Sequence, residues 1–145
     1  MLKRINVHIA LVISFLTFLG ASTAISDEAR KSNEGANVYI ISPLNGDVLS
    51  SPVTVKFGLS GMGVAPAGID KSGTGHHHLI VDAALPPLNE PIPADENHRH
   101  FGGGQTETTI ELDPGLHTLQ LLLADHYHIP HDPPVYSKVI TIEIR

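Results

Sequence analysis

The chain has 145 residues, no cysteine, and 15 acidic against 9 basic side chains, for a formal charge of −6 at pH 7. The lack of cysteine excludes thiol catalysis, cysteine-ligated zinc, iron–sulfur clusters and disulfides as a source of stability. An acidic balance without clustered Lys and Arg argues against nucleic-acid binding and favours the attraction of cations.

The first 24 residues (1–24) have the parts of a secretory signal peptide. Lys3 and Arg4 give a basic start, residues 9–19 are apolar, and residues 22–24 are small, as a cleavage site requires. The apolar stretch is shorter than the about 20 residues that span a bilayer, so we expect no stable membrane insertion after cleavage. An uncleaved N-terminal anchor is the alternative. The pattern predicts a bacterial protein that is periplasmic or secreted, with a flexible leader at residues 25–36.

Residues 37–145 have the pattern of one all-β domain. Residues 53–59 alternate apolar and polar side chains, which is typical of a half-buried strand. Other segments rich in apolar and β-branched residues are separated by turns and loops rich in Gly and Pro; they are 38–41, 77–81, 105–112, 117–124 and 135–144. No segment has a helical period. We therefore predict an antiparallel, immunoglobulin-like β-sandwich of about seven strands.

Histidine is unusually frequent, with ten in the chain. Most of them fall in three groups at the edges of predicted strands: residues 76–78, 98–100 and 126–131. Residues i and i+2 of a strand share a face, with Cβ atoms roughly 6.5–7 Å apart. Two such imidazoles can reach one ion at about 2.0–2.1 Å. Because loops can bring strand edges together, we expect these groups to converge on one metal-binding surface.

Each candidate site residue has an expected role. The candidate ligands are His98, His100, His126, His128, His131, His76 and His78. Neutral imidazole without cysteine matches Cu(II) or Zn(II). The carboxylates expected to hold imidazole N–H groups in place are Asp125, Asp132, Asp82 and Glu96. Residues expected to be structural are His117 and His77, which share a face with core residues, and Gly102, Gly103 and Gly104, which permit positive φ and close backbone approach.

Three other interpretations stay open. The imidazoles could hydrogen-bond to the backbone in the long loops and so replace the missing disulfides. The same histidines could hold a redox copper or a zinc-bound water in an enzyme, although a non-catalytic binding module is favoured. A metal-free cell-envelope domain could instead use the proline-rich segments 86–93 and 130–134 to bind a protein or a glycan.

Four sequence blocks resemble a known family. They are His-His-His-Leu-Ile-Val-Asp at 76–82, Asn-His-Arg-His-Phe-Gly-Gly-Gly-Gln-Thr-Glu at 97–107, Pro-Gly-Leu-His-Thr-Leu-Gln-Leu-Leu-Leu-Ala-Asp at 114–125 and His-Ile-Pro-His at 128–131. Together they look like the signature of a family of small exported bacterial domains known only as a domain of unknown function. The resemblance covers about residues 38–145. It implies an exported immunoglobulin-like domain without an established activity or ligand set.

Overall fold

The computed structural model describes residues 30–145; the predicted signal peptide and the first residues of the predicted leader lie outside this range. Nine strands form in it: β1 (Asn37–Ser42), β2 (Val48–Leu49), β3 (Val53–Ser60), β4 (Gly63–Val64), β5 (Thr74–Val81), β6 (His98–His100), β7 (Glu107–Ile110), β8 (Gly115–Ala124) and β9 (Ile140–Ile144). Since β2 and β4 have only two residues each, seven longer strands remain, as predicted. Within residues 30–145 no helix is long and apolar enough to cross a membrane.

The strands form two sheets. One is three-stranded, in the order β1-β3-β7, and the other is six-stranded, in the order β2-β9-β8-β5-β4 with β6 also paired to β5. The longer strands pair antiparallel, whereas the short strands β2 and β4 pair in parallel with β9 and β5. The β-sandwich prediction is confirmed, with the difference that the larger sheet is mixed.

The main core lies between the two sheets. Val55 and Phe57 point inward from β3, and Leu79 from β5 meets Leu121 and other leucines of β8. This is the alternation that the sequence predicted, because inward residues recur every second position along a strand. Each fully buried side chain of this size contributes about 1.5–3 kcal/mol.

A second, smaller core covers the other face of the six-stranded sheet. Ile80, Leu122 and Ala124 pack there against Ile92, which comes from the proline-rich segment 83–97. The β5 strand is consequently buried on both faces over most of its length. The outward-facing side chains of β5 therefore lie beneath loops.

The hydrogen-bonded part of the domain extends N-terminally of residue 37, where the sequence placed its start. Lys31 forms a parallel bridge with Asp132. The Ser32 amide donates to the Asp132 carbonyl at 3.2 Å, and the Ser32 hydroxyl donates to the Pro133 carbonyl at 2.7 Å. Residues 30–36 of the segment predicted as a flexible leader are thus attached to the loop at 130–133.

Candidate metal centre

Four histidines from three parts of the chain come together on the outer face of the six-stranded sheet. They are His76, His78, His100 and His128, and each offers one nitrogen within 4.8 Å of those of the other three. Nε2 of His76 and Nδ1 of His128 are 3.1 Å apart, at hydrogen-bond distance. This four-histidine group has the residue types and the spacing of a metal site.

Strand geometry places three of the four side chains. His76 and His78 are two residues apart on β5, so they share the outer face, with ring centroids 4.8 Å apart. His100 on β6 is the antiparallel partner of His78, and the ring centroids of this pair are 5.0 Å apart. An i, i+2 pair and a cross-strand pair therefore share His78.

The fourth side chain, His128, comes from a loop that Asp125 organises. One oxygen of the buried Asp125 carboxylate accepts from the amides of Tyr127 at 2.8 Å and Ile129 at 3.0 Å. The His128 amide donates to the Asp125 carbonyl at 3.0 Å. His128 itself has a φ of 66°, a conformation that side chains other than Gly rarely adopt. These bonds hold His128 in that conformation and against His76.

Glycine beside the group makes room for His100. A Cβ atom added at Gly102 would lie 2.3 Å from Cε1 and 2.6 Å from Nε2 of the His100 ring. Gly104 has a φ of 79°, which glycine adopts at no steric cost. The glycine triplet thus provides the close approach and the positive φ that its position beside the histidines suggested.

The spacing of the nitrogens fits a first-row metal ion. Four nitrogens at about 2.0–2.1 Å from one ion in a tetrahedron lie about 3.3–3.4 Å from one another. The 3.1 Å contact is close to that spacing, whereas separations of up to 4.8 Å would have to shorten by rotation of the side chains for all four nitrogens to bind one ion. His76 and His78 are buried, His128 is half-buried and His100 is exposed. The group is therefore open to solvent on one side.

The two buried imidazoles are held in the neutral form that binds metals. Burial, with smaller contributions from the neighbouring His100 and His128 rings, lowers the pKa of His76 to about 3. Burial lowers the pKa of His78 to about 2, again with help from neighbouring histidines. The pKa of His100 is also lowered, first by burial and then by His128. His76 and His78 are thus uncharged at neutral pH, and each ring keeps one nitrogen without a proton.

Both buried rings carry a nitrogen without a hydrogen-bond partner. Nδ1 of His76 and Nδ1 of His78 are enclosed and unpaired, although buried polar atoms usually have a partner. An unpaired buried group costs about 1–3 kcal/mol. A histidine that acts as a staple would bond to the backbone, whereas His76 bonds to the His128 ring and neither buried ring bonds to a backbone atom, so their geometry disfavours that interpretation.

The three other predicted ligands lie outside the four-histidine group and have their own contacts. Nδ1 of His98 bonds to Asp95 at 2.8 Å. The His126 ring contacts the Tyr127 ring in a tilted arrangement, with ring centroids 4.0 Å apart. The buried His131 uses Nδ1 to donate to the Arg30 carbonyl at 2.9 Å. The His98/His100 and His126/His128 pairs are thus each split, and only one member of each joins the group.

The predicted supporting carboxylates have different tasks. Asp125 holds the His128 loop through backbone amides, and not through an imidazole. Asp82 accepts from the ring of His117, which is not in the group. Asp132 contacts the N-terminal segment through its backbone, and Glu96 is exposed. Asp95 does hold the ring of a predicted ligand, His98. It was not among the predicted carboxylates, although its position three residues before a histidine could have indicated this contact.

The two histidines expected to be structural lie apart from the group. His77 is fully buried in the main core, with its ring 5.2 Å from that of Phe57, and burial lowers its pKa to about 4. His117 bonds through Nδ1 to Asp82 at 2.7 Å and through Nε2 to the Asp113 carbonyl at 2.8 Å. Both acceptors require an N–H, so the arrangement favours the charged ring, and the bond to Asp82 raises the pKa of His117.

The Asp82→Asn variant is expected to destabilise the protein more at pH 5.5 than at pH 9. Because the folded pKa of His117 is raised, the pair stabilises fully below the unfolded value of about 6.5, and this contribution is lost as pH rises through the folded value. Asparagine keeps an oxygen for the Thr118 amide, which donates to Asp82 at 2.7 Å. Urea unfolding of both proteins at the two pH values measures the difference; equal destabilisation at both would contradict the assignment.

The fold and the site together define an all-β sandwich domain with a four-histidine group on an outer sheet face. The chain belongs to the family DUF4399, a domain of unknown function, whose model matches residues 55–145. All four histidines of the group lie within the matched residues, and β1 and the N-terminal segment precede them. No curated protein matches the chain, and no solved structure does.

Proposed function

We propose that this domain binds one divalent transition-metal ion, Cu(II) or Zn(II), through His76, His78, His100 and His128. The observation that carries the proposal is the convergence of four imidazoles, two of them buried and neutral. An ion would bind the nitrogens that these rings bring together, and neutral imidazole is the form that binds metals.

The choice of metal follows from the donor atoms. The group contains no carboxylate and the chain has no cysteine. Mg²⁺ and Ca²⁺ prefer oxygen ligands, and Cu(I) prefers sulfur, whereas neutral imidazole suits Cu(II) and Zn(II). A storage, delivery or buffering role is consistent with one ion held near the surface.

Export is the second part of the proposal. The basic, apolar and small-residue pattern of residues 1–24 supports secretion to the periplasm or beyond. The cysteine-free sequence would keep such a metal site free of competing thiol ligands. Fractionation of cells that produce the untagged chain, with N-terminal sequencing of the product, tests this part; a cytoplasmic, uncleaved product would overturn it.

Metal binding itself is tested on the untagged protein without residues 1–24. We expect one ion per chain by elemental analysis and a higher Tm with metal present. At a free concentration of 100 times Kd, binding stabilises the folded state by about 2.7 kcal/mol, which corresponds to a rise in Tm of roughly 5–20 °C for a small domain. Absence of both signals with Cu(II) and with Zn(II) would overturn the proposal.

Matched variants locate the ion. His126→Gln and His98→Gln remove candidate ligands that lie outside the four-histidine group, so both variants are expected to keep the metal-dependent rise in Tm. His100→Gln removes the exposed member of the group and is expected to lose most of it. The reverse order would place the ion elsewhere.

A further inference from the structure

Arg30 connects the two loops that cover the outer face of the six-stranded sheet. Its Nε donates to the Pro130 carbonyl at 3.1 Å, and its Nη2 donates to the Leu88 carbonyl at 3.1 Å. Leu88 belongs to the proline-rich segment 83–97, and Pro130 to the loop that carries His128. One guanidinium therefore joins segments that are more than 40 residues apart in the sequence.

The backbone of Arg30 adds contacts to the same loop. Its carbonyl accepts from Nδ1 of the buried His131 at 2.9 Å and from the Asp132 amide at 3.0 Å. Both polar ends of this residue thus engage residues 130–132. These contacts come from the N-terminal segment, which precedes the first strand.

His128 lies between two connections of the covering loops. Its carbonyl accepts from the Ile92 amide at 2.9 Å, which joins the two loops directly. Two residues further on, Pro130 is bridged to Ala124 of β8 and bonded to Arg30. Since His128 occupies a backbone conformation that is unfavourable for its residue type, its position depends on the bonds on both sides.

We infer that Arg30 is a positioning residue for the metal centre, because it fixes the loop that presents His128 to His76. The metal-binding part of this inference rests on the proposed function; the effect on the loop does not. Arg30 lies outside the residues that match the family, 55–145. An N-terminal segment therefore completes a site whose ligands all come from the family domain.

The chemistry of Arg explains why a different side chain at position 30 cannot easily make both hydrogen bonds. The planar guanidinium presents several N–H groups in a rigid fork, so it can donate to two carbonyls at once. A Lys ammonium on a flexible stem can replace one of these bonds more readily than both. Arg30→Lys should thus restore part of what Arg30→Ala loses.

The test compares Arg30→Ala and Arg30→Lys with two controls. Lys31→Ala removes an exposed positive charge at the next position, and Ile142→Val weakens the main core without touching the site. In the metal-free proteins, we expect hydrogen exchange at the Ile92 and Ile129 amides to accelerate about 10-fold or more in Arg30→Ala, and by less in Arg30→Lys. In the two controls, exchange at these amides should change only as much as the change in global stability requires.

The metal readouts use Cu(II) alone. We expect about 10–100-fold weaker binding for Arg30→Ala, partial recovery for Arg30→Lys, and fewer coupled imidazole nitrogens in the electron paramagnetic resonance spectrum of Arg30→Ala. Two results would overturn the inference in a parent protein that binds copper normally. In one, Arg30→Ala leaves hydrogen exchange, copper affinity and the spectrum unchanged. In the other, it accelerates hydrogen exchange but changes neither the copper affinity nor the spectrum. A parent protein that binds neither Cu(II) nor Zn(II) would refute the proposed function, while the exchange data would still decide whether Arg30 holds the loop.

Discussion

The His78→Leu variant is expected to be more stable than the parent protein when both are metal-free, and to lose metal binding. His78 is buried, with Nδ1 unpaired, and it lies opposite Leu122 in the sheet. Leucine removes the unpaired polar group and extends the second core, so the free energy of unfolding should rise by about 1–3 kcal/mol. Loss of a ligand should weaken metal binding by at least about 100-fold, because even the loss of a group that hydrogen-bonds to a ligand lowers metal affinity by about 10–100-fold.

Denaturant unfolding with and without metal measures both effects. His117→Leu is the control, because that ring has a partner for each nitrogen and its loss should destabilise the protein without affecting metal binding. Opposite signs for the two variants would show that His78 costs stability in the absence of metal. A His78→Leu protein less stable than the parent would instead favour a structural histidine.

The second large effect is expected for Gly102→Ala. The added Cβ would occupy the place of the His100 ring, at 2.3 Å from Cε1. Since His100 is exposed, its ring can turn into solvent, so the fold should tolerate the change while the metal site loses one ligand. We expect metal affinity to fall by about 10–100-fold, by analogy with the loss of a group that orients a ligand, with little change in the stability of the metal-free protein.

Gly103→Ala provides the matched comparison. A Cβ there would contact only the end of the Gln105 side chain, with its nearest atom at 3.0 Å, and no histidine. Isothermal titration of the parent protein and the two variants with Zn(II) should therefore leave Gly103→Ala close to the parent. Equal losses in both variants would mean that the glycine triplet acts through loop conformation and not through space for His100.

Alternation along strands could be predicted from the sequence and accounts for much of the fold and for half of the site. The period of two in β3 identified the inward residues correctly. The same rule separated His77, which faces the main core, from His76 and His78, which face the other way. These inferences hold because a strand determines side-chain direction locally.

Pairing between distant segments could not be predicted in the same way. The His98-Arg99-His100 motif suggested two ligands from β6, whereas the register places His100 beside His78 and His98 beside Ile80. That register depends on which strands meet, and a shift by one residue would reverse every side chain. Likewise, the choice of His128 over His126 depends on the loop that Asp125 organises, and the contribution of Arg30 comes from a segment expected to be a flexible leader.

The layer over the histidines differs in kind from the sandwich beneath it. Segments 83–97 and 125–134 contain none of the nine strands and are held by scattered hydrogen bonds and a few apolar contacts. Regions of this kind open at a lower free energy than the sheets to which they are attached. The residence time of a bound ion would then be governed by brief excursions of this layer, so that cargo could be handed to an acceptor while both sheets stay intact.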